Sequence, residues 1–394
     1  MTDMTDTTDT ASAEIPPAGS VRLARVREML AGSGLDALVV RDPVDLRWLT
    51  AFAGVFDEER AHTVVVTCGG AHLHTDSRYA TAMRDAARGT EWEIDDDASR
   101  GSAAYVARVL AESGLGTARV GIDAQTPLAE YRALSGALTG CDGASGGDGL
   151  SDVELVEVAD PLTALRAVKD ASEISLLRHA QEIASAAFLA TVSGLSAGQS
   201  ERDISWTLER EMRERGADGL AFANIVASGP NSANPHAQPS DRVLGAGDLV
   251  VFDFGALADG YRSDTTRMVS VGAPTAEQQR LYDAVRQANE EVARTVRPGA
   301  SGREMHELAL SVLADGGCAG LMGHSLGHGV GLDIHELPVL GPRNEEPLVA
   351  GNVATVEPGA YLPARFGARL EDCGVVTETG WESFCELSHE IYVV

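Results

Sequence analysis

The sequence predicts two domains: an α/β domain over residues 20–160, and a second domain over residues 161–394 that begins with a long helix and is richer in strands. The chain of 394 residues is too long for one ordinary hydrophobic core and suits two. In the first half, helical and strand patterns alternate, which is typical of layered α/β domains. In the second half, a strongly helical segment precedes paired β-prone runs that turns separate.

Short apolar patterns define the first domain. Leu23, Val26 and Leu30 form a helical stripe, and Gly32 is expected to end that helix. A strand, a hairpin about a glycine pair, a helix and a further strand are predicted after it, over residues 35–40, 62–67 with 71–75, 104–113 and 118–122. We find no catalytic constellation inside this domain.

Composition marks the borders of the domains. Residues 1–19 are rich in threonine and aspartate with few apolar residues, which predicts a disordered acidic tail. Residues 141–152 are rich in glycine, serine and aspartate, which predicts a surface loop. A strand over residues 153–158 follows this loop, so we place the domain boundary near residue 160.

The second domain opens with a helical pattern from Leu165 on, in which Asp170 and Glu173 have the spacing of a capping box. Two pairs of β-prone runs follow, over residues 248–256 with 261–271 and 353–361 with 367–377. The residues that carry chemistry lie in these runs and in the loops between them.

The composition also restricts the partners of the protein. A net charge of −28 disfavours phosphate backbones and anionic lipid surfaces, so we expect neither a nucleic-acid nor a membrane partner. No apolar run is long enough to span a bilayer, and the N-terminus lacks the basic start and apolar stretch of a secretory signal. Five widely spaced cysteines without a C-x-x-C motif fit reduced thiols. Together these features predict a cytoplasmic protein.

Two aspartates, Asp253 and Asp264, stand on the two arms of a predicted hairpin. A loop centred just after Ala258 would pair Asp253 with Asp264, whereas a tight Asp-Gly turn would pair Asp253 with Thr266. Because side chains alternate along a strand, both registers put the two carboxylates on one face. The aspartates interrupt an apolar run, so that face is expected to be buried, and buried carboxylates need a cation or protons.

Three of the ten histidines, His324, His328 and His335, occur within twelve residues of a glycine-rich segment. Imidazole is a common ligand for zinc, manganese, iron and cobalt, and the glycines allow close approach of the backbone. The second histidine of an H-E-x-x-H motif is absent after His335, so the helical zinc-protease motif does not apply. A further histidine, His236, lies in a predicted loop rich in asparagine and proline.

Two glutamates complete the candidate set. Glu357 lies in a β-prone run before a Pro-Gly turn, and Glu371 lies in another run, two residues after Arg369. Residues two apart share one face of a strand, so Arg369 and Glu371 are expected to point the same way. Taken singly, each glutamate would be interpreted as a surface acid.

The order of these residues, two aspartates eleven apart and then a histidine and two glutamates, resembles that of the pita-bread metallopeptidases. This group contains methionine aminopeptidase, aminopeptidase P and prolidase. The resemblance covers residues 165–394 in detail. It extends more loosely to the first domain, which is similar to the α/β domain that precedes the catalytic domain in aminopeptidase P and prolidase. The resemblance implies that the second domain is an α+β pita-bread catalytic domain.

The resemblance also implies a centre of two divalent metal ions. Asp264 and Glu371 would bridge the two ions, Asp253 would complete the ligands of one, and His328 and Glu357 those of the other. Oxygen-rich ligands with one imidazole favour Mn²⁺, with Co²⁺, Fe²⁺ or Zn²⁺ as alternatives. Four carboxylates would then be balanced by two doubly charged cations.

The catalytic roles follow from the same resemblance. A hydroxide shared by the two ions would attack the scissile carbonyl, and Glu357 would act as the general base. His335 would stabilise the oxyanion, and His236 would contact the scissile amide or its nitrogen. These roles predict that metal ligation and oxyanion stabilisation can be separated by mutation.

His324 and Arg369 match positions that line the substrate pocket in aminopeptidase P and prolidase, but not in methionine aminopeptidase. The implied substrate is a peptide or dipeptide with proline in second position, and a homodimer is expected. Arg369 would bind a substrate carboxylate through its planar fork, or would form a structural salt bridge with a nearby acid.

Other functions of the same fold stay open. Some relatives of this scaffold hydrolyse or cleave small amides and osmolytes with metal, creatinase-like enzymes act without metal, and some chromatin factors use the fold as a binding module. The intact set of five candidate ligands argues against the last two. The sequence does not separate an aminopeptidase from a strict dipeptidase.

Overall fold

The computed structural model describes residues 18–139, 150 and 152–394. The chain divides into two compact units, Met1–Pro161 and Leu162–Val394. The predicted acidic tail, residues 1–19, and the predicted surface loop, residues 141–152, lie almost entirely outside the described residues. Among the described residues, no helix combines the length and apolar character needed to cross a membrane.

The first unit is a layered α/β structure, as predicted. Its mixed sheet has the strand order β4-β3-β2-β1-β5-β6, in which β1–β3 form an antiparallel meander and the outer strands run parallel to their neighbours. The strands are β1 Ala37–Val40, β2 Thr63–Thr67, β3 Ala71–His74, β4 Trp92–Asp95, β5 Thr117–Asp123 and β6 Asp152–Val158. The helices are α1 Ala18–Ser33, α2 Pro43–Thr50, α3 Ala80–Ala86, α4 Ser102–Glu112 and α5 Leu128–Thr139.

Two predicted boundaries at α1 are wrong. The predicted tail includes Ala18 and Gly19, which instead open the helix. An added Cβ at Gly19 would lie 2.5 Å from the carbonyl oxygen of Thr50, so this first turn packs closely against the end of α2. Gly32 does not end the helix, which continues to Ser33. The change of direction occurs at Gly34, whose φ of 66° is a left-handed conformation that glycine adopts without strain.

The second unit contains five helices and fourteen strands in its described residues, Leu162–Val394. The helices are α6 Thr163–Arg166, α7 Ala171–Ser193, α8 Glu201–Glu214, α9 Ala276–Thr295 and α10 Gly302–Asp315, and a 3₁₀ helix spans Gly229–Ala233. The strands are β7 Gly219–Leu220, β8 Ile225–Ser228, β9 Leu249–Phe254, β10 Ala256–Ala258, β11 Tyr261–Arg262, β12 Thr265–Ser270, β13 Gly327–Gly329, β14 Glu336–Leu340, β15 Val353–Val356, β16 Gly359–Leu362, β17 Phe366–Arg369, β18 Asp372–Val376, β19 Trp381–Ser383 and β20 Tyr392–Val393.

Helix pairs cover sheets in two places within this unit. Helices α7 and α8 pack on the sheet β20-β12-β9-β8, and the ring of Phe188 stacks on Phe254 with centroids 5.0 Å apart. Helices α9 and α10 pack against β15–β18, around residues such as Tyr282 and Val356. The predicted capping box of Asp170 and Glu173 is present at the start of α7, and it satisfies backbone N–H groups that the first helical turn leaves unpaired.

Strand β9 has both faces buried, and its two faces belong to different cores. Val250, Phe252 and Phe254 point toward α7 and α8. Leu249 and Val251 point toward the core of α9 and α10. Because side chains alternate along a strand, Asp253 lies on the second face, between the two helix-covered layers of this unit.

The long β-prone runs are not continuous strands, contrary to prediction. The first pair of runs is broken at Gly255 and at Ser263–Asp264, and the second pair at Glu357–Pro358 and at Leu370–Glu371. At Gly255 an added Cβ would lie 1.9 Å from the carbonyl oxygen of Ser263, so the chain there has room only for glycine. At each break the backbone leaves one sheet and enters another.

Candidate metal centre

The hairpin that carries the two aspartates has the tighter of the two predicted registers. Ala258 pairs with Tyr261 across a two-residue Asp-Gly turn, in which both residues have positive φ. Further along, Asp253 pairs with Thr266. Asp264 therefore lies just before β12, near enough to Asp253 that the pKa of Asp264, which burial raises, is raised further by the negative charge of Asp253.

Three of the five predicted ligands lie at breaks between strands. Asp264 precedes β12, Glu357 follows β15, and Glu371 lies between β17 and β18. His328 occupies the middle of the short strand β13, where its backbone N–H donates to the hydroxyl of Thr355 at 3.0 Å. The regular alternation of side chains stops where a strand ends. Ligands from separate sheets can therefore point toward one position.

Asp264, His328 and Glu371 form the centre of the cluster, with ligand atoms that all lie within 4.8 Å of one another. Nε2 of His328 lies 3.5 Å from Oδ2 of Asp264 and 3.5 Å from Oε1 of Glu357. The structure therefore brings four of the predicted ligands together. The fifth, Asp253, is joined to them through the pair with Thr266, whose hydroxyl donates to Oε2 of Glu371 at 2.7 Å.

The four acids perturb one another's ionisation. Burial raises the pKa of Glu357 to about 8. Burial also raises the pKa values of Asp264 and Glu371 well above their usual range, and the negative charges of the neighbouring acids add to the shift. Burial raises the pKa of Asp253 as well, against the opposing charge of Arg369. So many acids in one buried site can be ionised together only beside a cation.

The orientation of His328 fits a metal ligand. Its Nδ1 lies 3.1 Å from the carbonyl oxygen of Gly329, and because a carbonyl only accepts, Nδ1 carries the hydrogen. Burial lowers the pKa of the ring to about 4, so the imidazole is neutral at pH 7 and Nε2 presents a lone pair. This lone pair faces carboxylate oxygens of Asp264 and Glu357, and such a set of donors suits a divalent cation.

Asp253 provides a second indication of a cation. Its Oδ2 accepts from Nη2 of Arg369 at 2.6 Å, whereas its Oδ1 is buried and has no hydrogen-bond partner. An unsatisfied buried carboxylate oxygen is costly, and a bound metal ion would satisfy it. The residues present therefore fit a divalent metal.

Arg369 forms the structural salt bridge that was the alternative to a substrate contact. Its side chain is 3% exposed and pairs with Asp253. Its Nε donates to Thr266, and its Nη1 donates to the hydroxyl of Tyr361 at 2.9 Å. Although burial opposes the charge, Tyr361, Asp253 and the other nearby acids raise the pKa of Arg369 well above its usual value, so it stays protonated.

His324 is connected to this arginine through Tyr361. Nδ1 of His324 lies 2.8 Å from the carbonyl oxygen of Ser325 and therefore carries the hydrogen. Burial lowers the pKa of His324 to about 4, so Nε2 of the neutral ring accepts the Tyr361 hydroxyl hydrogen at 3.0 Å. The hydrogen bonds thus run from Arg369 through Tyr361 to His324, while Arg369 also holds Asp253.

His335 and His236 are the two predicted site histidines that are exposed. The ring of His335 lies 4.3 Å from the ring of His328, at an angle of 67°. Partial burial of the ring lowers the pKa of His335, and the electrostatic influence of His236 adds to the effect. Both rings are open to a ligand, and their catalytic roles stay predictions.

Several residues of the site were missed from the sequence. Thr266 donates to Glu371 and accepts from Arg369, and Tyr361 links Arg369 to His324. The register that pairs Thr266 with Asp253 was the one available signal. The carboxylate beside His335 was also missed: Glu336 is ion-paired with Lys169 at 2.5 Å and with Arg166 at 2.7 Å, which fixes the chain directly after His335.

Comparison with known proteins identifies the families that the two parts of the chain match. Residues 175–378 match the family described as metallopeptidase family M24, and residues 22–168 match the creatinase/prolidase N-terminal domain. The chain is 34% identical over 378 residues to an uncharacterized peptidase of Bacillus subtilis, YqhT, an alignment that covers 95% of this chain and 100% of that protein.

Solved structures with the same architecture include two similar enzymes. The Xaa-Pro dipeptidase from Bacillus anthracis has a TM-score of 0.85 and 32% identity, over 95% of this chain and 100% of that one. The X-Pro aminopeptidase from Thermotoga maritima has a TM-score of 0.82 and 32% identity, over 94% of this chain and 100% of that one. These similarities confirm the predicted fold, a creatinase-type N-terminal domain followed by a pita-bread catalytic domain.

Proposed function

Because the chain belongs to metallopeptidase family M24, we propose that it hydrolyses the peptide bond between an N-terminal residue and a proline in second position, in dipeptides or longer peptides. The observation that carries this proposal is the convergence of four acids and a neutral histidine, three of the acids lying at breaks between strands. The names of the two similar solved structures support a proline-containing substrate. Such a bond resists general peptidases because its amide lacks an N–H.

The centre is proposed to take two divalent ions, of which Mn²⁺ suits the oxygen-rich ligands best. Asp253, Asp264, His328, Glu357 and Glu371 would hold them. A divalent ion would lower the pKa of bound water and polarise a carbonyl oxygen. A homodimer in the cytoplasm is the proposed state of the protein.

Glu357 is the proposed general base and acid. A carboxylate that is held next to the reacting atoms can accept a proton from the attacking water and later donate it. Its Oε1 lies 3.5 Å from His328, and the hydroxyl of Thr355 donates to Oε1 at 3.4 Å. The Glu357 carboxylate is therefore held next to the other candidate ligands. There it would take a proton from the attacking water and return it to the leaving nitrogen.

The exposed histidines are proposed to bind the reacting amide. His335, beside His328, would donate to the oxygen that becomes negatively charged, and His236 would contact the amide or its nitrogen. His324 donates to the Ser325 carbonyl and accepts from Tyr361, so its ring would present a fixed edge to the side chain of the substrate.

Arg369 is proposed to orient Asp253 instead of binding a substrate carboxylate. Its guanidinium is buried, and Asp253, Thr266 and Tyr361 accept hydrogen bonds from its nitrogens. A dipeptide then gains no binding energy from Arg369. Converting the C-terminal carboxylate of the dipeptide to an amide removes no contact with this residue, so the rate of cleavage should not fall. Comparing a dipeptide with its amide therefore tests the assignment.

The proposed activity can be tested with purified full-length protein loaded with Mn²⁺. We expect cleavage of an Ala-Pro dipeptide or an Ala-Pro-Ala tripeptide, and no cleavage of a Met-Ala-Ser peptide. Glu357→Gln should abolish turnover, whereas Glu378→Gln, at an exposed position, should match the unaltered protein. Cleavage of only the Met-Ala peptide, or of only small amides such as those of osmolytes, would reject the proposed substrate.

A further inference from the structure

A buried carboxylate that has no place in the metal centre lies beneath the loop that carries His236. This loop, residues 229–240, follows β8 and begins with the 3₁₀ helix Gly229–Ala233. We call it the His236 loop. The carboxylate belongs to Glu201 in the first turn of α8, and Glu201 is fully buried.

Glu201 accepts hydrogen bonds from Ser228, which directly precedes the His236 loop, and from the interior and the last residue of the loop. Oε1 accepts from the backbone N–H and the hydroxyl of Ser228, both at 2.7 Å. Oε2 accepts from the backbone N–H of Ser240 at 3.1 Å and from its hydroxyl at 2.6 Å. The amide nitrogen of Asn231 reaches both oxygens, at 3.1 and 3.0 Å. A single side chain thus connects the entry, the 3₁₀ turn and the exit of the loop.

The surroundings make a buried anion acceptable at this position. The helix N-terminus favours negative charge in its first turn, where Glu201 lies. Arg242 donates to the Ser228 hydroxyl at 2.5 Å and is itself fixed by Asp248, so it adds a positive charge close to Glu201. Every lone pair of the carboxylate then faces a donor, which is the condition for burying a charged group.

The same loop contacts the metal-centre side of the unit. The carbonyl oxygen of Pro235 accepts from Nη1 of Arg369 at 3.4 Å, and the hydroxyl of Ser232 accepts from the backbone N–H of Gly367 at 3.0 Å. An added Cβ at Gly367 would lie 2.5 Å from the Ser232 carbonyl oxygen, so strand β17 and the loop pack backbone to backbone. The loop is held between Glu201 on one side and the strand of Arg369 on the other.

We propose that Glu201 is a positioning residue for catalysis, which acts by fixing the His236 loop so that His236 reaches the scissile amide. This inference rests on the proposed function, because it assigns to Glu201 the geometry on which the role of His236 depends. Glu201 itself touches neither substrate nor metal ligands. Its effect on the reaction passes through His236.

Glu201→Gln is the most direct perturbation. Glutamine keeps the shape of the side chain but replaces one acceptor oxygen by a donor, so the backbone N–H of either Ser228 or Ser240 meets another donor. Asn231→Ala is a second variant, which removes only the link to the 3₁₀ turn and leaves the buried glutamate in place. Glu209→Gln is the matched control, because Glu209 lies on the same helix in an exposed ion pair with Arg213.

The kinetic readout is a double-mutant cycle with His236→Ala on an Ala-Pro-Ala peptide. We expect Glu201→Gln to lower kcat between about tenfold and a hundredfold, the range caused by a displacement of roughly 1 Å in a reacting geometry. In the His236→Ala background the same change should lower kcat by less than about twofold, because coupled residues do not act additively. Asn231→Ala should show the same non-additivity with a smaller effect, and Glu209→Gln should leave kcat unchanged.

A second readout does not depend on activity. Hydrogen–deuterium exchange of the segment 228–241 should be faster in Glu201→Gln and in Asn231→Ala than in the unaltered protein and in Glu209→Gln. Unchanged exchange in both variants, or an equal loss of kcat with and without His236, would overturn the inference. If the unaltered protein cleaves no Xaa-Pro peptide, the proposed function fails, and the exchange rates still decide whether Glu201 fixes the loop.

Discussion

Binding of divalent metal to the metal-free protein at pH 7 should release protons from the buried acids, and Glu357 sets a lower limit on their number. The pKa of Glu357 is about 8, so at pH 7 about nine-tenths of this carboxyl is protonated. Carboxylate ligands bind metal in the ionised form, so this proton must leave. His328 contributes none, because its pKa of about 4 already leaves it neutral.

Asp264 and Glu371 add to the release. Burial and the charges of neighbouring acids raise both pKa values well above their usual range, so we expect both acids to add to the protons that Glu357 releases. Raising the pH to 8 leaves Glu357 about half protonated, so its contribution should fall from about 0.9 to about 0.5 protons.

Isothermal titration calorimetry with Mn²⁺, in two buffers of different ionisation enthalpy at each pH, measures the protons released. Glu357→Gln should remove its share of the release at pH 7, and the exposed Glu378→Gln should leave the count unchanged. A release of less than about half a proton at pH 7 would refute the reasoning, because it would mean that the acids are already ionised without metal.

The stability of the metal-free protein and the role of His335 provide two further predictions. Because burial raises the pKa of Glu357 from 4.5 to about 8, the stability that its protonated form contributes is complete below pH 4.5 and is lost as the pH rises through 8. Thermal melts of metal-free protein should show this loss, with an upper limit of about 5 kcal/mol, and metal-loaded protein should not; a metal-free protein that becomes more stable from pH 5 to 8 would contradict it. His335→Ala should lower kcat about a hundredfold or more and leave the metal content unchanged. Elemental analysis beside the kinetics checks this, and retained turnover would defeat the assigned role.

The sequence was sufficient for the candidate ligands but not for the way in which they meet. Alternation along a strand predicted that Asp253 and Asp264 share a face, and either register satisfied it. The choice between registers depended on a two-residue Asp-Gly turn in which Asp259 has a φ of 51° and Gly260 a φ of 84°. Such a turn matches the twist of a hairpin, but the longer loop was equally compatible with the local residues.

The breaks in the strands could not be predicted from local propensity. Runs such as the one around Glu357 are β-prone throughout, and propensity reports how well a residue fits a pleated surface, without saying which sheet it joins. The chain changes sheet at Glu357 and at Glu371 because the hydrogen-bonding partners differ on the two sides. Those partners come from distant parts of the sequence.

The roles of buried charged side chains could not be predicted from local sequence either. Glu201 has the sequence signature of an ordinary acid in a first helical turn, and only the folded chain surrounds it with Ser228, Asn231 and Ser240. Arg369 could have bound substrate or an internal acid, and the sequence could not choose, because Asp253 is more than a hundred residues away. In both cases tertiary contacts decide what a charged residue does.

The candidate metal centre takes residues from both helix-covered parts of the second unit. Asp253 and Asp264 come from the sheet beneath α7 and α8, whereas His328, Glu357 and Glu371 come from the strands beneath α9 and α10. Besides the Arg369 pair, an isolated bridge between Thr266 and Glu371 crosses between the two. A cation bound by these residues would therefore also connect the two layers, because side chains from both layers would hold it. Because a ligand that binds only the folded chain stabilises it by mass action, metal binding should raise the stability of both layers at once.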